Sequence, residues 1–188
     1  PYTTLFRSQK VLTPEPVPFE QDREDGTTLV DDLMDACSDA LMEVFDEKYG
    51  GFEQDAKFPR ASSLKLLIRQ FVRRNEDADK ETLAYLIKVI LYTFGAIHDG
   101  GIHDHIGGGF HRFALDRFWH VPHFEKMLID NVQIAQAYLN FAVLMPEKIW
   151  FETARSTLDY VLRELKAPDP GGFYSAQDSD SFDKNLGQ

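Results

Sequence analysis

The sequence predicts an all-α fold of stacked helical hairpins that can close into an (α/α) ring. Two observations lead there. Apolar residues recur at helical spacing along most of the chain, and no stretch alternates as a strand does. A Gly-Gly-Phe turn also repeats at residues 50–52, 108–110 and 171–173, with two helices in each interval. A period near 60 residues with two helices per unit is the mark of a repeat array, either a closed ring or an open solenoid. In a ring the three turns share one end, and a pocket belongs there.

The elements follow in order. Pro1 to Ser8 (PYTTLFRS) reads as the translation of a common sequencing adapter and is set aside from the fold. Residues 9–26 carry three prolines and no periodicity, the composition of a linker. The fold proper is expected over 27–188. Thr28, three residues before Asp31, makes a capping-box-like start. Val30, Leu33, Met34, Cys37, Leu41, Val44 and Phe45 then form the apolar stripe of a first helix. Cys37 is expected in the core, and Gly50 is expected to supply the helix C-cap.

A second helix is predicted over 62–74, with Leu64, Leu67, Ile68, Phe71 and Val72 apolar, and a turn over 75–80. A third runs over 79–96, where Leu83, Leu86, Ile87, Ile90, Leu91 and Phe94 keep strict register. Pro122 suits the first turn of the next helix, expected over 125–144. That helix has two apolar faces, Leu128/Val132/Ala135/Leu139 and Ile134/Tyr138/Phe141, and so is expected to pack on two sides. Pro146 breaks it. The fifth helix, 147–166, sets Trp150, Ala154, Thr157, Leu158, Val161, Leu162 and Leu165 on one face.

Composition narrows the partners. The formal net charge of -11 argues against nucleic acid and against an anionic membrane surface. No run is long enough for a membrane span, and no signal peptide is visible. A single cysteine forms neither an intrachain disulfide nor a CxxC pair, which fits a reducing compartment, so a cytoplasmic setting is expected.

Three segments carry a resemblance. GGFEQDAKFPR, DGGIHDHIGGGFHRFALDRFWHVPHFEKMLIDN and GGFYSAQDSD, in that order, resemble the YyaL-type thioredoxin-domain-containing family, the spermatogenesis-associated protein 20-like group, over residues 28–182. The resemblance implies a six-hairpin, glycosidase-like (α/α)6 toroid, similar to that of N-acylglucosamine 2-epimerases. It further implies that this chain holds two to three of the six hairpins. The remaining hairpins and a preceding thioredoxin-like domain would be its partners.

Chemistry concentrates between His98 and Asp130. All six histidines fall there, and histidine titrates near neutrality, as proton transfer beside a carbonyl requires. His103, His105, His111 and His123 are the catalytic candidates; His98 and His120 are read as structural. Glu125, Asp130, Asp178 and Asp180 are candidate carboxylates for glycoside hydrolysis, which needs a flanking pair; Asp104 is the one more suited to holding a loop. Arg112, Trp119, Phe110 and Tyr174 are candidate substrate contacts for a small carbohydrate-like molecule. An HxH pair without cysteine or HExxH is weak support for zinc, so no metal and no cofactor are expected. The function anticipated is sugar epimerisation or glycoside hydrolysis. The alternative is a non-catalytic module binding a carbohydrate or a protein.

Overall fold

The computed structural model describes residues 26–74, 80–168 and 171–180. Five helices carry the fold: α1 (Gly26–Glu43), α2 (Ala61–Arg74), α3 (Lys80–Asp99), α4 (Leu128–Leu144) and α5 (Lys148–Tyr160). A π-helical turn, Val161–Leu165, extends α5. The adapter-like segment 1–8, the linker except Gly26, and the turn at 75–80 except Lys80 lie outside the described residues.

The core follows the predicted stripes of α2 and α3 except at Val72 and Leu91, which are exposed. Leu64, Leu67 and Ile68 meet Leu86, Val89, Ile90, Phe94 and Ile97, joined by Ile134, Tyr138 and Phe141 of α4. Phe94 stacks on Phe141 at 4.7 Å, and the Tyr138 hydroxyl donates to the Phe94 carbonyl at 2.9 Å. Each such buried ring contributes roughly 1.5–3 kcal/mol by leaving water.

Three helices depart from expectation at particular positions. In α1, Val30 and Leu33 are about half exposed or more, and Cys37 is exposed rather than in the core. The cause is a polar seam: the Asp35 carboxylate accepts from Gln70, Arg73 and Arg74 of α2. That seam fixes the face α1 presents, so Leu41 and Met42 near its end, and Phe45 just beyond it, pack on the core. α4 packs on two sides as expected, against α2 and α5, with Ile134, Tyr138, Phe141 and Ala135 buried and Leu128 packed on Tyr160, Val161 and Leu165; within its second face only Val132 and Leu139 are exposed. In α5, Leu158 and Leu162 are exposed and Thr153 is buried in their place.

Boundaries also shift. Pro122 belongs to a two-residue strand, not to a helix start. The strands β1 (Phe113–Ala114) and β2 (Pro122–His123) pair with each other, and β3 (Lys126–Met127) pairs with β4 (Ala176–Gln177), all antiparallel. These short ladders sit in the loops and leave the fold all-α. The glycine expected to cap α1 does not, since α1 ends at Glu43 and Gly50 lies in a separate turn.

The repeat is visible in the backbone. Asp46 N donates to Gly51 O at 2.9 Å, Asp104 N to Gly109 O at 3.0 Å, and Ala167 N to Gly172 O at 2.9 Å. The first glycine of each turn has positive φ: Gly50 at 71°, Gly108 at 77° and Gly171 at 85°. Consecutive turns are stitched together by the pairs Lys57↔Ala114 and Lys126↔Gln177. The turns therefore share one end of the molecule, and the inner helices α2 and α4 both begin there.

Candidate active site

An open cleft of about 290 Å³ lies where α2 and α4 start, lined by Phe58, Arg60, Ala61, Arg112, Asp130 and Ile134. Two turns build its surroundings on one plan. In the first, Asp46 Oδ1 accepts from the backbone N–H of Lys48 and Tyr49, both at 3.1 Å. In the second, Asp104 Oδ1 accepts from Ile106 at 3.0 Å and Gly107 at 2.7 Å. The other carboxylate oxygen of each holds a buried lysine: Lys57 at 2.8 Å from Asp46, Lys126 at 2.6 Å from Asp104. Each lysine also donates to the first glycine carbonyl of its turn, Gly50 or Gly108. An aromatic ring closes each unit, Trp119 over Lys57 and Tyr160 over Lys126.

These lysines carry the strands that lead to the cleft. Phe58 follows Lys57 and stacks on Phe113 at 4.7 Å, and Phe113 stacks on His123 at 4.8 Å, so three rings cross three adjacent strand segments. Glu125 precedes Lys126 and forms an ion pair with Arg112 at 2.9 Å. Asp130 stands in the first turn of α4, half-buried. Burial pushes its carboxyl up; Arg112 pulls it down and Glu125 adds to the rise. Asp46 and Asp104 behave oppositely: although burial works against it, hydrogen bonds from their lysines and backbone amides hold each at about 2.

The histidines divide. His98, His103 and His105 form one cluster with ring centroids 4.3–5.8 Å apart. His103 is buried, stacks on Phe110 at 4.6 Å, and its Nδ1–H donates to the His98 carbonyl at 3.0 Å. Burial lowers it to about 4. His105 is exposed. His111 is buried on the other side, donating through Nδ1 to the Phe124 carbonyl at 3.0 Å, and burial lowers its basicity too. His123 is half-buried, with a buried Nδ1 that has no hydrogen-bond partner.

Arg112 and Asp130 thus come together at the cleft, and Glu125 stands behind it, paired with Arg112. Two of the expected substrate contacts do not join them. Trp119, 1% exposed, donates its indole N–H to the Tyr49 carbonyl at 2.9 Å, and Phe110, 0% exposed, lies in the core. Both are packing residues, because the turns they cover close over them. Tyr174, Asp178 and Asp180 are exposed on the third turn. The Lys126↔Gln177 register, continued by one residue, sets Asp178 level with Glu125. Among the described residues, no three His, Cys, Asp or Glu converge to hold a metal. Sequence reading missed Arg60 as a cleft residue. It also missed the two lysine staples, although Asp-x-x-x-Gly-Gly recurs at 46–51 and 104–109.

Comparison with known proteins follows the same geometry. No family model matches the chain. Human spermatogenesis-associated protein 20 is 42% identical over 147 residues, covering 77% of this chain. The chain is homologous to a segment of that protein. The mouse protein of the same name is 39% identical over 147 residues. The chain spans 18% of the length of these curated relatives.

Among solved structures, cellobiose 2-epimerase from Spirochaeta thermophila superposes with a TM-score of 0.62 at 12% identity, over 84% of this chain and 42% of that one. The enzyme of the same name from Bacillus thermoamylovorans gives 0.62 at 12% identity, over 81% and 42%. A family 8 endoglucanase from Klebsiella pneumoniae gives 0.52 at 9% identity, over 75% and 44%. The fold is that of the (α/α)6 toroids, of which the chain matches less than half. Among the described residues no helix is long and apolar enough to cross a membrane.

Proposed function

We propose that this chain is part of a carbohydrate-processing (α/α)6 domain and that the cleft at the starts of α2 and α4 is a section of its sugar pocket. One observation carries the reading. Two carboxyl groups stand in unlike settings, one in the cleft and one beside it: Asp130 lines the cleft and is pushed up by burial, and Glu125 is ion-paired with the lining residue Arg112. Carboxyl groups set apart in this way divide acid from base work. Asp130 serves as the proton donor to a glycosidic or carbonyl oxygen. Glu125, with Asp178 from the next turn, supplies the anionic side. Of the candidate histidines, His103 and His111 donate Nδ1–H to backbone carbonyls, which leaves Nε2 of each to accept a proton, and His105 and His123 are less buried than either. For epimerisation a proton leaves and returns at a carbon next to the carbonyl; for hydrolysis it goes to the leaving oxygen.

The test uses the intact polypeptide carrying this chain. Incubated with cellobiose in heavy water, an epimerase exchanges the proton at C2 of the reducing sugar, while a hydrolase releases glucose. General acid catalysis is worth roughly 10²–10⁴-fold, so Asp130→Asn should remove about that much of whichever activity is found. Activity untouched by the substitution would reject the assignment.

A second reading, a non-catalytic module that binds a carbohydrate or a protein beside a thioredoxin-like domain, is favoured by the structural employment of His103, His111 and Asp104. Saturable sugar binding with neither exchange nor cleavage would select it.

A further inference from the structure

Beyond the cleft, the inner helices α2 and α4 carry polar stripes opposite their buried ones. On α2 these are Ser62, Lys65, Arg69 and Arg73; on α4 they are Gln136 and Asn140, following Gln133 of the cleft. The spacings of three and four residues keep each set on one helix face. All but Gln133 line one open groove of about 1140 Å³, whose walls also include Val30, Met34, Leu66, Ile68, Val72 and Val143, and Ser62 lines both groove and cleft, so the two adjoin there. Lys65 bridges the helices, donating to the Gln136 side-chain oxygen at 3.0 Å.

The charges in this groove are unbalanced. Arg73, at its far end, is held by Asp31 and Asp35. Among the described residues no carboxylate pairs with Lys65 or Arg69, in a chain whose net charge is -11. Every other cation near the cleft mouth, Arg60 and Arg112 included, has a carboxylate partner. From Ser62 to Arg73 the groove runs about 16 Å at the helical rise. Two open cations with amide side chains facing them suit a ligand rich in hydroxyls that bears carboxylates.

We infer that the groove binds an acidic saccharide, a chain with uronic acid residues, whose carboxylates meet Lys65 and Arg69 and whose hydroxyls meet Gln136 and Asn140. The inference rests on the carbohydrate reading of the cleft and narrows it to a substrate class. The length of the groove fits an oligosaccharide that reaches the cleft at one end. Hydrogen bonds to charged groups contribute about 1.5–3 kcal/mol each, so an acidic ligand should outbind its neutral counterpart by tenfold or more.

Calorimetry on the intact polypeptide tests this with cellobiose and with glucuronosyl-glucose, at low and at high salt. The expected result is tighter binding of the acidic disaccharide by about tenfold, a gap that narrows with salt. Lys65→Gln with Arg69→Gln should erase the gap by weakening the acidic disaccharide about tenfold more than cellobiose. Arg69 is exposed, so its replacement does not threaten folding. Equal affinity for both sugars would overturn the acidic class while leaving the carbohydrate reading intact. Loss of the acidic preference through Arg112→Met but not through the groove pair would move the carboxylate to the cleft mouth and overturn the groove. Binding of neither sugar would overturn both.

Discussion

Lys126 Nζ lies 2.6 Å from Asp104 Oδ2, and the pair is the counterpart of Lys57 and Asp46, 2.8 Å apart in the preceding turn. The lysines are 5% and 0% exposed. A buried ion pair is weak evidence of net stabilisation, but removing one partner strands the other. Lys57→Met should therefore cost about 3–5 kcal/mol in urea unfolding. Arg117, 3.1 Å from Asp46, softens the loss but does not reach Gly50. Adding Asp46→Asn to Lys57→Met should restore part of it. A single mutant as stable as the parent would show that the staple is dispensable.

The buried His103 makes stability depend on pH. Its folded-state value is about 4 against an ordinary 6.5, so between these values the unfolded chain binds more protons. The contribution is fully present above pH 6.5 and is lost as pH falls through 4, on the order of 3 kcal/mol in all. His98 and His111, also lowered, steepen the same slope. Asp46 and Asp104, lowered to about 2, add a further loss below their ordinary value of 3.8. His103→Gln should flatten the dependence between pH 6.5 and 4; an unchanged slope would place the cause elsewhere.

The glycine pairs differ in what they tolerate. A Cβ on Gly51 would stand 2.7 Å from Trp119 Cζ2 at φ 78°, and one on Gly109 would collide with Tyr160 at φ 76°. Gly172 has open space and no positive φ. Alanine should cost about 2–4 kcal/mol at Gly51 or Gly109, from strain together with overpacking, and less than about 0.5 kcal/mol at Gly172. Thermal unfolding of the three variants gives the order directly.

Cys37 is exposed on α1. It should react with a thiol-specific disulfide reagent in the native protein at close to the rate found in denaturant. Protection by a large factor would mean that another surface covers α1.

The site was legible in part. Asp130 and Arg112, singled out from the loop sequence, line the same cleft, Asp130 from the first turn of α4 and Arg112 from the residue before β1. Trp119 and Phe110 could not be read correctly. An aromatic ring next to glycines suits a sugar platform and a turn lid equally well, and only the lysine beneath Trp119 and the histidine stacked on Phe110 distinguish the two. The lysine staples were visible as a repeat but not as contacts, since Lys57 and Asp46 meet across a turn whose closure depends on Gly50 and Gly51.

By itself the sequence determined the helices, the repeat and the end of the molecule that the three turns share, because helical periodicity and positive-φ glycines act locally. Only the tertiary structure decided which apolar faces meet a partner and which polar groups remain free. Val30 and Leu33 have the pattern of core residues, yet the Asp35 seam turns them outward. His103 and His111 have the chemistry of catalysts, yet nearby carbonyls hold their protons and burial lowers their basicity. Burial and pairing are properties of neighbours distant in sequence, and no local pattern specifies them.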